Sequence, residues 1–177
     1  RITSSLAEAG DEAELIVVVV PSQVVRSTLR QLKESLHSCR GVICASKGIE
    51  ARSQLLMSEV INEELIGQEA SMTSFAALSG PSFAKEVAAH VPTNIVAASE
   101  QSEFATEVQQ LFSNAWLRVY TGRDVIGVEV GGALKNVIAI AAGAAEGLGL
   151  GKNSQAALIT RGVAEMARLV ESKGGQR

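Results

Sequence analysis

The sequence predicts an α/β fold built on a parallel sheet, and two observations carry that prediction. Four short runs rich in Val, Ile and Ala each stop at small or polar residues. They are Leu15–Val20 before Pro21-Ser22, Val42–Ala45 before Ser46-Lys47-Gly48, Phe75–Leu78 before Ser79-Gly80-Pro81-Ser82, and Asn94–Ala98 before Ser99. Apolar character without alternation is expected of strands covered on both faces, as in a parallel sheet. Helical patterns lie between these runs, and strands alternating with helices require crossover connections.

Each helix has its own periodicity. After Pro21-Ser22, a plausible N-terminal cap, Val24, Val25, Leu29, Leu32 and Leu36 recur at spacings of three to five, with charged residues between them. Leu55, Leu56, Val60, Ile61 and Leu65 give a second apolar face, and Ser102 caps a third helix carrying Phe104, Val108, Leu111 and Phe112. Leu117–Tyr120 is a fifth, weaker strand. From about Gly127 to Gly147 the residues are mostly Gly, Ala, Val and Ile, too long a run for a strand, and they read as a buried helix. A further helix starts at Asn153 or Ser154, with Ala157, Leu158, Val163, Met166 and Leu169 as its apolar positions.

The 177-residue chain is 46% hydrophobic but only 3% aromatic, so its core must be aliphatic and alanine-rich. A net charge of -3 gives no bulk attraction to nucleic acid, and so few aromatics leave little for base stacking. Cys39 and Cys44 are not spaced as CxxC, and His37 and His90 lie far apart, so no metal site is expected. Cys44 falls inside an apolar run and reads as a core thiol. No disulfide framework is implied, which fits a reducing cytoplasm. The apolar runs read as too short for a membrane span. No signal peptide is visible, although the first residue is Arg1 rather than Met.

In open sheets of this kind, ligands sit beyond the carboxyl ends of the strands. The polar endings would then share one edge, bringing Lys47, Gly80 and Ser82 to one cleft. Ordinary loops are the alternative, since Ser, Gly and Pro populate loops for conformational reasons. Lys47 stands apart because Ser-Lys-Gly directly follows a buried strand. In the glycine-rich helix, Lys135 is flanked by Gly131, Gly132, Ile138 and Ala139, and Asn136 by Gly132, Ala133, Ala139 and Ile140. Burial there would lower the lysine's pKa and suit the amine to proton transfer, whereas snorkelling to the surface is the competing account. Gly147–Asn153 looks like a phosphate loop, but it follows a helix and lacks the GxGxxG and GxxxxGK[ST] spacings, so it reads as a helix-ending turn.

The segments VVVVPSQVVR, ICASKGIE, LSGPSFAKEVA, VIGVEVGGALKNVIAIAAGAAEGLGLGKN and AALITRGVAEMARL together resemble the bacterial NAD(P)-dependent glycerol-3-phosphate dehydrogenases, from about Arg1 to Gly175. LSGPSFAKEV followed by ALKNVIAIAAG is the specific part of the resemblance. It implies that Lys135 exchanges the proton between sn-glycerol 3-phosphate and dihydroxyacetone phosphate, and that Lys47 binds substrate close to the NAD or NADP cofactor. It further implies substrate contacts at Gly80 and Ser82, a cofactor contact at Ala84, Pro21 and Ser22 near the nicotinamide, and Asn136 lining the substrate pocket. A homodimer is compatible with it.

The resemblance makes the fold an incomplete Rossmann-type parallel sheet over residues 1–124, followed over 125–177 by the first helices of an all-α C-terminal domain. The first βαβ unit with its glycine-rich fingerprint, and the substrate-phosphate segment expected after the helical region, are not among these residues. The 177 residues alone are therefore expected to bind dinucleotide poorly and to turn over little substrate. Two other readings keep the scaffold: a non-catalytic binding module, against which Lys47 and Lys135 count, and a related hydroxy-acid dehydrogenase.

Overall fold

The structure is a computed structural model that describes residues 2–66 and 74–176. Its centre is a five-stranded sheet in the order β1 (Leu15–Val18), β2 (Gly41–Cys44), β3 (Ser74–Ser79), β4 (Thr93–Ala98) and β5 (Leu117–Gly122). All five expected strands are present, with ends shifted by one or two residues. Seven α-helices accompany them among the described residues: α1 (Leu6–Gly10), α2 (Val25–Leu32), α3 (Met57–Ile61), α4 (Ala84–Ala88), α5 (Ser102–Phe112), α6 (Val125–Gly147) and α7 (Gly151–Ser172).

The sheet is mostly parallel. β1 pairs with β2, β2 with β3, and β4 with β5 in parallel, but β3 and β4 run antiparallel, with Leu78 opposite Ala97. This corrects the expectation that every polar strand ending shares one edge. Ser99 follows β4 at the opposite edge, where its amide donates to the Gly122 carbonyl at 3.0 Å and it is 1% exposed. The apolar runs could not reveal the reversal, because a strand covered on both faces reads the same in either direction.

Alternate residues of β2 reach opposite layers, as strand geometry requires. Val42 and Cys44 join Val25, Leu29, Val60 and Ile61 from α2 and α3 on one face, while Ile43 joins Phe104 and Val108 of α5 on the other. Helix α6 lies on the α2–α3 side, where Val125 packs against Ala77 and Ala98. Covering is incomplete at the edge strand: Val17 and, just beyond β1, Val19 are 43% and 68% exposed. Cys44 is a core thiol as expected, and burial pushes it up to about 12.

The helices differ from their sequence reading in instructive ways. Ser22–Val24 form a 3₁₀ turn that leads into α2. Ser102 is the first residue of α5 rather than its cap. Helix α7 begins at Gly151, after the short turn that was expected to end the preceding helix. Helix α6 is capped by Asp124, whose side chain accepts from the Gly127 amide at 2.9 Å. It is not the buried helix that its composition suggested. Its first half packs on the sheet, whereas Val137 and Ile140 farther along are 63% and 73% exposed. The expectation about apolar runs needs correcting as well, since this 23-residue helix is long and apolar enough to cross a membrane by length and composition. Here it lies along the sheet and against α7, in a cluster of Val130, Leu134, Leu169 and Val170.

One ion-pair cluster fixes the loop after β2. Arg26 on α2 donates from Nε and Nη2 to both oxygens of Glu50, and its Nη1 lies 2.7 Å from Glu64, which Arg30 also contacts. Glu50 and Glu64 are each only 9% exposed. Hydrogen bonds from Arg26 and then Ser53 hold the Glu50 carboxyl at about 2, below its ordinary 4.5. A depressed carboxylate stabilises the fold above its unfolded pKa, and that contribution is lost as pH falls from 4.5 towards about 2. Replacing Arg26 with Ala leaves Glu50 without a cationic partner and Glu64 with Arg30 alone. It should cost about 2–3 kcal/mol at neutral pH and flatten the acid limb of the stability profile, as measured by denaturant unfolding at stepped pH.

Candidate active site

Two strand-end loops and one helix build a cleft of about 380 Å³. Lys47, Ser79, Gly80, Pro81, Ser82 and Phe83 line one side, and Val128, Gly131, Gly132 and Lys135 of α6 line the other. Helix α6 begins beyond the carboxyl end of β5 and β4, at the edge away from the β3 terminus. At 1.5 Å per residue, its first ten residues rise about 15 Å and recross the sheet. That traverse delivers Lys135 to the loops after β2 and β3.

Close approach makes the delivery possible. A Cβ on Gly132 would lie 2.8 Å from Ser79 Oγ and 3.5 Å from Lys47 Cγ, so the helix backbone passes directly over the stem of Lys47. Gly80 has φ +151, and a Cβ there would meet the Asn94 carbonyl oxygen at 2.9 Å. The turn after β3 therefore requires glycine. It presents the Gly80 carbonyl to Lys47, whose Nζ donates to it at 2.9 Å.

Lys47 is exposed as a whole, yet its ammonium is crowded by protein. Desolvation first, and the charge of Lys135 second, lower its pKa. The two amines thus lie within each other's field. Lys135 is exposed rather than buried, which corrects the sequence expectation, and its Nζ donates to Asn136 Oδ1 at 2.7 Å. The reason is that the core contacts of α6 with the sheet come from its first turns, and the residues just beyond Lys135 are uncovered as well, Val137 at 63% and Ile140 at 73%.

Of the residues singled out in the sequence, Lys47, Gly80, Ser82 and Lys135 line one cleft, and Asn136 joins them through Lys135. Ser82 Oγ lies 3.5 Å from the Gly80 carbonyl oxygen. Ala84 is exposed and opens α4, one residue past Phe83 of the cleft wall, without lining the cleft itself. Pro21 and Ser22 lie outside the cleft too, but the Ser22 side chain fills the space that a Cβ on Gly48 would need, so the loops after β1 and β2 touch. Sequence reasoning missed Gln23, which donates to the Ile49 carbonyl at 2.8 Å and accepts from the Ala51 amide at 2.9 Å, tying the same two loops together. An exposed glutamine gives no sequence signal for such a bridge.

The fold is of Rossmann type, and its cleft joins two lysines at the carboxyl edge of the sheet. Residues 1–105 match the family model described as NAD-dependent glycerol-3-phosphate dehydrogenase N-terminus, and residues 124–177 match that for the C-terminus. The chain belongs to the NAD-dependent glycerol-3-phosphate dehydrogenase family. It is 52% identical over 97% of its length to the glycerol-3-phosphate dehydrogenase [NAD(P)+] of Geobacter metallireducens, covering 51% of that protein. Among solved structures, the glycerol-3-phosphate dehydrogenase of Coxiella burnetii superposes with a TM-score of 0.82 at 39% identity, over 93% of this chain and 49% of that one. The Plasmodium falciparum glycerol-3-phosphate dehydrogenase gives 0.86 at 29% identity, over 96% and 46%. The chain spans about half the length of the curated relatives it matches.

Two expected outcomes test this geometry. Gly80→Ala should destabilise by about 1–3 kcal/mol through backbone strain, read as a lower denaturation midpoint at an unchanged denaturant slope. Lys135→Met removes the neighbouring positive charge, so Lys47 should titrate at higher pH than in the parent, as followed by NMR of its isotopically methylated amine.

Proposed function

We propose that the protein carrying this chain interconverts sn-glycerol 3-phosphate and dihydroxyacetone phosphate with NAD or NADP. The observation that carries this reading is the convergence of Lys47 and Lys135 on one cleft at the sheet's carboxyl edge. The cofactor fit rests on the same feature. The cleft is largely apolar, through Pro81, Phe83, Val96 and Val128, with the polar groups confined to a few positions, as a nicotinamide end with a small polar reactant beside it requires. Lys47 would contact the cofactor from within the cleft, and Pro21 and Ser22 after β1 and Ala84 at the start of α4 would hold it from beside the cleft. A bound nicotinamide supplies the acceptor for the hydrogen of the carbinol carbon.

The chain's own residues move the proton and bear the charge. As a free amine, Lys135 takes the hydroxyl proton when the alcohol is oxidised; as an ammonium, it returns that proton in reduction. Lys47 supports the negative charge that develops on the reacting oxygen. Gly80 and Ser82 contact the substrate from the β3 loop, and Asn136 orients Lys135 through their hydrogen bond. Residues 1–124 form the cofactor-binding part, and 125–177 open the helical substrate part, a division supported by the second family match starting at Asp124. A cytoplasmic location, supply of glycerophospholipid precursor and pairing as a homodimer belong to the same reading.

The test is Lys135→Ala in the protein that carries this chain. Turnover should fall by roughly 10²–10⁴-fold, while the unfolding midpoint hardly moves, because the side chain is exposed. Near-parental turnover would remove the assignment.

A further inference from the structure

Glu129 is a partly buried carboxylate that the proposed chemistry does not use. It projects from α6 one turn before Gly132, and it lines a small cavity behind Lys47 together with Cys44, Ser46, Met57 and Ser79. Its Oε1 accepts from the Ser58 amide at 2.8 Å, and its Oε2 accepts from the Ser58 hydroxyl. Ser58 is the second residue of α3, so its amide has no acceptor within its own helix. Desolvation pushes the Glu129 carboxyl up, against the lowering effect of both Ser58 bonds, so the charged group costs free energy where it stands.

The surface that α6 presents to the cleft shows what this carboxylate does. Gly127, Gly131 and Gly132 give the cleft side of the helix no side chains to interlock with the sheet, while Val125 and Val128 pack on Ala77 and Ala98, and Val130 on Leu56 and Val170, through apolar contact alone. Apolar burial of this kind holds the helix close, but it is non-directional and adds little angular restraint at the glycine-lined face. Hydrogen bonds are directional, and two of them reaching one carboxylate from a neighbouring helix fix its position along and about its axis.

We infer that the Glu129–Ser58 pair sets the register of α6 against the sheet, and that Glu129 is thereby a positioning residue for Lys135. Lys135 lies six residues along the same helix, about 9 Å away by the helical rise. A shift at Glu129 is transmitted as a shift of the amine relative to Lys47 and Gly80.

The inference rests on the dehydrogenase reading above, and its test separates the two. In the protein that carries this chain, Glu129→Ala should lower kcat roughly ten- to a hundredfold, the loss expected of a misplaced reacting group, with KM changed far less. Glu129→Gln keeps an acceptor for the Ser58 amide and should restore most of that loss. Ser58→Ala should give a smaller fall, and Ser58→Ala with Glu129→Ala should be no slower than Glu129→Ala alone. All rates are taken per folded molecule, with the folded fraction measured by circular dichroism. A parental kcat for Glu129→Ala, or a glutamine variant as slow as the alanine one, overturns the inference. If Glu129→Ala does not fold, Ser58→Ala decides: a lower kcat supports the inference, and a parental one overturns it. Lys135→Ala is made alongside, and retained turnover there brings down the dehydrogenase reading and this inference with it.

Discussion

Where α6 passes the end of β3 there is no room for a Cβ, and the rest of the cleft depends on that contact. Gly132 lets the helix backbone settle against Ser79 and the stem of Lys47. A bulkier residue there would push the helix away by the width of a methyl group, and Lys135, one turn farther on, would move with it. The requirement runs in both directions. Gly80 turns the chain out of β3 in a conformation that presents its carbonyl to Lys47, so strand end, lysine and helix constrain one another.

The cleft needs support from outside itself, and the ion pairs on its far side provide it. The loop that carries Lys47 and Gly48 continues through Glu50, which Arg26 holds against α2. Gln23 ties the same loop to the end of β1. Neither interaction involves a residue that lines the cleft, yet together they set where Lys47 starts. A rigid foundation of this kind suits a site whose polar groups must converge within hydrogen-bond distances.

Much of this was legible in the sequence, for identifiable reasons. Uninterrupted runs of Val, Ile and Ala are long enough to mark strands, and Ser-Lys-Gly and Ser-Gly-Pro-Ser directly after two of them placed Lys47, Gly80 and Ser82 at one edge. The direction of β4 was not legible, because burial on both faces erases the only periodic clue. Nor was the exposure of Lys135: a helix of small apolar residues reads as interior whether or not its neighbours cover it. Glu129 was invisible for a different reason. Its partner Ser58 lies 71 residues earlier, and nothing local marks either as half of a pair.

The reversal between β3 and β4 gives the cleft a handed layout. Three strands, β1 to β3, point their tips towards this rim, whereas β4 and β5 present their starts to it. Gly80 already abuts the Asn94 carbonyl at the entrance to β4, so the tip of one strand and the start of the next form a continuous wall there. A group bound at this rim therefore meets strand tips on one flank, with Lys47 and Gly48 on the loop after β2, and strand starts on the other.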